Sequence, residues 1–86
     1  MQKYVYIVVT DYGEENDLEV FGSKERAKEF LEAEMEQIIQ KGLITDPADK
    51  IRKEFIKNGK ERFVICEEYE YNTFFNVGYI RKKLIR

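Results

Sequence analysis

The chain has 86 residues, 43% hydrophobic and 37% charged, enough for one small core and no second one. Its 17 acids and 15 bases leave a net charge of -2, which argues against a general nucleic-acid binder. Histidine and tryptophan are absent, and serine, cysteine and proline occur once each, so most catalytic constellations are excluded before any motif is sought.

Residues 3–10, KYVYIVVT, are rich in β-branched and aromatic side chains and predict a strand. Tyr4, Tyr6 and Val8 lie on one face and Val5, Ile7 and Val9 on the other. Both faces are apolar, which places the strand inside a sheet. Residues 11–16 predict a turn, with Gly13 free to take a positive φ. Residues 17–21 return as a second strand with Leu18 and Val20 on one side.

Ser23 follows as a helix N-cap, its hydroxyl able to accept from a first-turn amide. Ala27, Phe30, Leu31, Met35, Ile38 and Ile39 recur at helical spacing, and Gly42 fits the position just past the helix end. Asp46 as N-cap with Pro47 at the first helical position predicts a second helix over about residues 47–57, with Ile51 and Phe55 on one face. Asn58-Gly59 also fits a type I′ hairpin turn; the Asp-Pro start favours the helix. Residues 61–71 predict a third strand, with Phe63, Ile65, Glu67, Tyr69 and Tyr71 on one face. A turn is expected at Asn72-Thr73, then a last strand over residues 74–85 that Asn76 and Gly78 could bulge or break. The expected fold class is α+β: a single small domain over residues 1–86, order ββααββ, with one mainly antiparallel sheet backed by the long helix.

The first third, YVYIVVTDYGEENDLEVFGSKERAKEFLE, with its Ser23-x-x-x-Ala27 helix start, resembles the beginning of short uncharacterised proteins of low-GC bacteria and their phages. The resemblance implies a hairpin-then-helix unit. It defines no catalytic residue, and it points to proteins that bind and inhibit a host protein.

A lone cysteine, Cys66, allows no intrachain disulfide and favours a reducing compartment. The first apolar run, residues 4–9, is too short for a secretory signal, and nothing approaches the roughly 18 apolar residues of a membrane span. The expectation is a cytoplasmic protein with no membrane contact. Catalytic, cofactor-binding and metal-binding residues are all expected to be none. Ser23 is explained by capping, and Cys66 has no histidine to activate it. The acidic turn lacks the calcium-loop spacing, and the glycines form no phosphate-cradling pattern.

Charge is segregated along the chain. Residues 11–36 carry ten acids against three bases, whereas residues 50–62 carry six bases against two acids. Glu25, Glu29, Glu32 and Glu36 form one stripe on the long helix. Such a stripe is ordinarily a solvated face; the functional alternative is an acidic surface that docks on a basic partner or imitates a nucleic-acid backbone. Tyr4, Tyr6, Tyr69 and Tyr71 are the other candidates. If Val5, Ile7 and Val9 face the long helix, these tyrosines share the opposite sheet face and form a protein-binding patch. The expected activity is non-enzymatic binding of a protein partner or a second copy of the chain, as in an inhibitor or regulator of a host protein. A nucleic-acid-linked role, through acidic mimicry or the basic tail, is the alternative.

Overall fold

A computed structural model describes residues 3–11 and 16–85. The elements run β1 (Lys3–Asp11), β2 (Asn16–Phe21), α1 (Lys24–Gln40), α2 (Ala48–Lys57), β3 (Arg62–Tyr69) and β4 (Asn72–Ile85). The turn expected around Gly13, with Glu14 and Glu15, lies outside the described residues. The strands form one antiparallel sheet in the order β2-β1-β4-β3. With its two helices, the domain is of the α+β class.

Local signals account for the helices. The Arg26 amide donates to Ser23 Oγ at 3.4 Å, which caps α1. Gly42, at φ 74°, takes the left-handed conformation just past the α1 end, and its amide donates to the Ile39 carbonyl at 3.2 Å. On α1, Ala27, Leu31, Met35 and Ile38 are buried, at steps of four, four and three. On α2, Ile51 and Phe55 are buried one turn apart. The α2 start differs from expectation. Pro47, not Asp46, occupies the N-cap position, and its carbonyl accepts from the Lys50 and Ile51 amides. Asp46 instead lies 3.9 Å from the Lys50 ammonium.

One core joins both helices to one sheet face. It contains Val8, Phe63 and Ile65 from the sheet with Leu31, Met35, Ile38, Ile51 and Phe55 from the helices. Phe55 meets Phe63 edge-on, with ring centroids 6.3 Å apart, and Phe21 meets Phe30 at 5.2 Å. Thr10 and Asn76 are buried on this face, and no fully buried side-chain polar atom among the described residues lacks a partner.

The face assignment of β1 is therefore the reverse of the sequence expectation. Tyr6, Val8 and Thr10 point toward the helices, and Tyr6 packs against the core. Val5 and Ile7 lie outside the core, on the opposite face. The reason is on β4, which runs unbroken through Asn76 and Gly78. Gly78 lies directly across from Phe63 on β3 and Thr10 on β1. A Cβ there would meet the Phe63 ring and come within 2.7 Å of Leu31 Cδ1. Gly78 is a seat for Phe63 and Leu31, not a strand breaker, and it fixes which side of the sheet receives α1.

The last hairpin turn also moves. Tyr69 pairs with Asn72, so the turn is Glu70-Tyr71, with Glu70 at φ 53°. Asn72 and Thr73 are strand residues. Tyr71 sits at the turn, 100% exposed, and not on the strand face with Tyr69.

Two outcomes check this packing. Leu31→Ala should cost about 2–5 kcal/mol in chemical denaturation, with Val5→Ala far milder. Gly78→Ala should cost about 1–3 kcal/mol, because the Phe63 ring must shift to admit the methyl group. Equal losses for Leu31→Ala and Val5→Ala would contradict the face assignment.

Candidate functional site

Both helices contribute to the core on one side of the sheet, and among the described residues no element covers the other side. The Cα atoms span 51 × 26 × 16 Å, thin enough for one sheet and one helix layer. Strand alternation sends Val5, Ile7 and Val9 of β1 to the open side. Ile7 lies between Val20 and Arg81, and Val9 between Leu18 and Tyr79. On the β3–β4 half, Val64 faces Val77 and Cys66 faces Phe75. Leu18 is 65% exposed, Val20 62% and Phe75 58%. Two shallow concavities mark the surface: one lined by Val5, Ile7, Val20 and Ile85, the other by Val9, Leu18 and Tyr79.

The charges on this face are sorted by position. Strand register puts Lys3, Arg81 and Lys83 toward the end where β1 begins and β4 finishes. Asp11 and Glu68 lie toward the other end. Arg62, across from Tyr79, and Arg81, across from Ile7, lie nearer the middle of the face. An exposed sheet face that combines Leu18, Val20, Val77 and Phe75 with flanking charges has the mixed character of a protein contact surface.

The two sheet edges differ. Outside β3, Thr45 donates its amide to the Cys66 carbonyl at 2.8 Å, and Ile44 bridges to Glu67. This short segment covers part of the β3 edge. β2 forms the other edge of the sheet.

The tyrosines singled out from sequence are not gathered on the open face. Tyr4 and Tyr6 share the helix side of β1; Lys82 Nζ sits 4.1 Å from the Tyr4 ring centroid in a cation–π contact. Tyr69 follows the inward alternation of Phe63 and Ile65 but is exposed at the strand end. Tyr71 is in the turn. The expected patch of four does not assemble, because the face carrying Tyr4 and Tyr6 is the one the helices cover. The contact candidates that sequence reasoning left aside are Leu18, Val20, Phe75 and Val77. Their signal was present in the Leu18/Val20 alternation beside a strand that is apolar on both faces.

The acidic stripe is partly engaged within the molecule. Arg52 of α2 donates to both Glu36 oxygens, at 2.7 and 2.8 Å. Lys60 Nζ lies 4.0 Å from Glu32. Glu25 accepts from the Ser23 hydroxyl at 3.2 Å. Glu29 is exposed on the surface of α1. A further ion pair joins Lys24 to Glu61, ahead of β3. The hydrogen bonds from Arg52 hold the Glu36 carboxyl below the usual carboxylate range, and those from Lys24 do the same for Glu61.

Among the described residues, no group of three His, Cys, Asp or Glu side chains could hold a metal ion. Among the described residues, no helix is long and apolar enough to cross a membrane. No protein-family model matches the chain, and neither the curated proteins nor the solved structures provide a match.

A carboxyl held below its unfolded value stabilises the fold fully above the unfolded range, and the contribution is lost as pH falls through the folded value. Glu36→Gln should therefore lower the melting temperature at neutral pH, and its difference from the parent should shrink as the solution is acidified. Thermal melts across the acid range measure this. A difference independent of pH would remove the Arg52 pair as its source.

Proposed function

We propose that this chain is a non-enzymatic protein-binding module acting in the cytoplasm, and that its contact surface is the open face of the sheet. One observation carries the reading: Leu18, Val20 and Phe75 are well exposed on a sheet face that no helix covers. Apolar side chains in such positions add little to the stability of the isolated domain, but in a contact they exclude water from a broad surface. The face is flat and strand-built, which suits another folded surface better than a small molecule enclosed in a deep pocket. The resemblance to phage proteins makes inhibition or regulation of a host protein a fitting role. Acidic mimicry of nucleic acid has less support, since Glu32 and Glu36 of the stripe face cations of the same chain.

Affinity capture from the native cell tests this reading when paired with variants. Val20→Lys combined with Phe75→Lys places charge on the open face without entering the core. The double variant should keep the parent's circular dichroism and lose the bound protein. Glu29→Lys, on the outside of α1, should keep it. Recovery that ignores the open-face charges, or that consists of nucleic acid, would overturn the reading.

A further inference from the structure

We infer that the open face takes an acidic amphipathic helix of its partner, laid along β1 and β2 with its carboxylates over the cations of β4 and β3. The inference rests on the contact-face reading above and adds the chemistry of the partner.

The two halves of the face differ. In their paired middle, β1 and β2 present Val5, Ile7, Val9, Leu18 and Val20 to the open side, all aliphatic. Beside them, β4 presents Lys83 across from Val5 and Arg81 across from Ile7, and β3 adds Arg62 across from Tyr79. All three cations are exposed. The ion pairs among the described residues take up Lys24, Lys50, Arg52 and Lys60, and Lys83, Arg81 and Arg62 join none of them. An aliphatic strip thus runs beside a strip of unpaired positive charge, on a chain whose net charge is -2. A partner complementary to both strips is apolar along one side and acidic along its flank.

The dimensions suit a helix. Two strands about 4.8 Å apart make an apolar strip about 10 Å wide, near the about 10–12 Å diameter of a helix with its side chains. Lys83 and Arg81 are two positions apart on β4, about 6.8 Å along the strand, and helix positions four apart rise about 6 Å. Carboxylates at that spacing meet both cations while the apolar stripe of the same helix lies over Val5, Ile7 and Val20. Lys83 also borders the concavity that Val5, Ile7 and Val20 line, so an apolar side chain and a carboxylate of one segment are received side by side.

A nucleic-acid strand or an anionic bilayer fits less well. Both are negative along their whole extent and would also meet the Glu68 carboxylate at the far end of β3. Stacked bases need aromatic platforms, and the strip beside the cations is aliphatic. A protein segment sets its acids over one part of the face and none over Glu68.

Charge reversal, capture and zero-length coupling test the inference. The parent, Arg81→Glu with Lys83→Glu, and Leu18→Ser with Val20→Ser each capture protein from the native cell, and a carbodiimide then joins amines to carboxylates in contact. In the parent, Lys83 should couple to an Asp or Glu of the captured protein, within a segment whose apolar residues recur at helical spacing. A synthetic peptide of that segment should bind the parent. The charge reversal should weaken that binding at least about tenfold at low salt, with the loss shrinking as salt rises. The same peptide with its acids changed to lysine should prefer the reversed variant. Circular dichroism verifies each fold, and Arg81→Gln with Lys83→Gln replaces the reversal if that variant misfolds. Capture that the serine variant loses but the reversal leaves unchanged would overturn the acidic partner and keep the contact-face reading. Coupling that bypasses Lys83, or that joins it to a second copy of this chain, would overturn it as well. So would binding of a single-stranded oligonucleotide or of phosphatidylserine vesicles in place of protein. Capture indifferent to both variants, or no capture at all, would remove both readings.

Discussion

The contact of Phe63 and Leu31 over Gly78 is the constraint on which the rest of the structure depends. A side chain at position 78 would occupy the space those two side chains fill. Because Gly78 points toward the helices, so do its neighbours in register, Thr10 on β1 and Phe63 on β3. Strand alternation then sends Tyr79 and Val77 outward on β4, and Val9 and Ile7 outward on β1. A single missing side chain thereby decides which of two apolar faces is buried. Close packing makes the decision firm, since a protein interior has little free volume in which to absorb even a methyl group.

This explains which parts of the molecule were legible in the sequence. The Ser23 cap, the Ala27–Leu31–Met35–Ile38 spacing and the Gly42 stop are local signals, each resting on a few neighbouring residues. They locate α1 within a residue or so. The α+β class follows from the same kind of pattern. The face of β1 is not local. Val5, Ile7 and Val9 look like a better core stripe than Tyr4, Tyr6 and Val8. Only the long-range register with β4 reveals that the tyrosine side meets the Gly78 seat. The Glu70-Tyr71 turn was missed for a related reason. Asn and Thr are ordinary turn formers, yet pairing from Arg62 to Tyr69 brings Asn72 into the ladder and leaves Glu70 at positive φ. The candidate site follows the same exchange: Tyr4 and Tyr6, expected on the open face, lie on the helix side of β1, and Val5, Ile7 and Val9 lie on the other.

The charge segregation along the chain also has a different meaning in space. The acidic segment supplies α1, and the basic segment supplies α2 and the start of β3. Folding brings them side by side, so Glu36 meets Arg52, Glu32 approaches Lys60, and Lys24 pairs with Glu61. Part of what reads in sequence as a polarised surface is thus an internal clasp between elements that lie on the same side of the sheet. These pairs are solvent-accessible, and such pairs contribute at most about 1 kcal/mol each to stability. Their placement leaves the opposite face free of that clasp.

Sheet proteins associate through edges or through faces, and here the edges are guarded. Outside β3, Thr45 and Ile44 already occupy backbone positions beside Cys66 and Glu67. β2 alternates Asp17 and Glu19 with Leu18 and Val20. Two copies of β2 paired antiparallel about a two-fold axis must oppose residues of the same face. Centred on Leu18, that pairing sets Asp17 against Glu19; centred on Asp17 or Glu19, it sets an acid against itself. Each of these registers places like charges directly across the ladder, which is destabilising. Acidic residues on an edge strand are a recognised device against edge-to-edge growth. The same strand turns Leu18 and Val20 to the open face, where no such repulsion arises. β2 thus opposes edge-to-edge pairing with a second copy of itself and at the same time turns two apolar side chains to the open face.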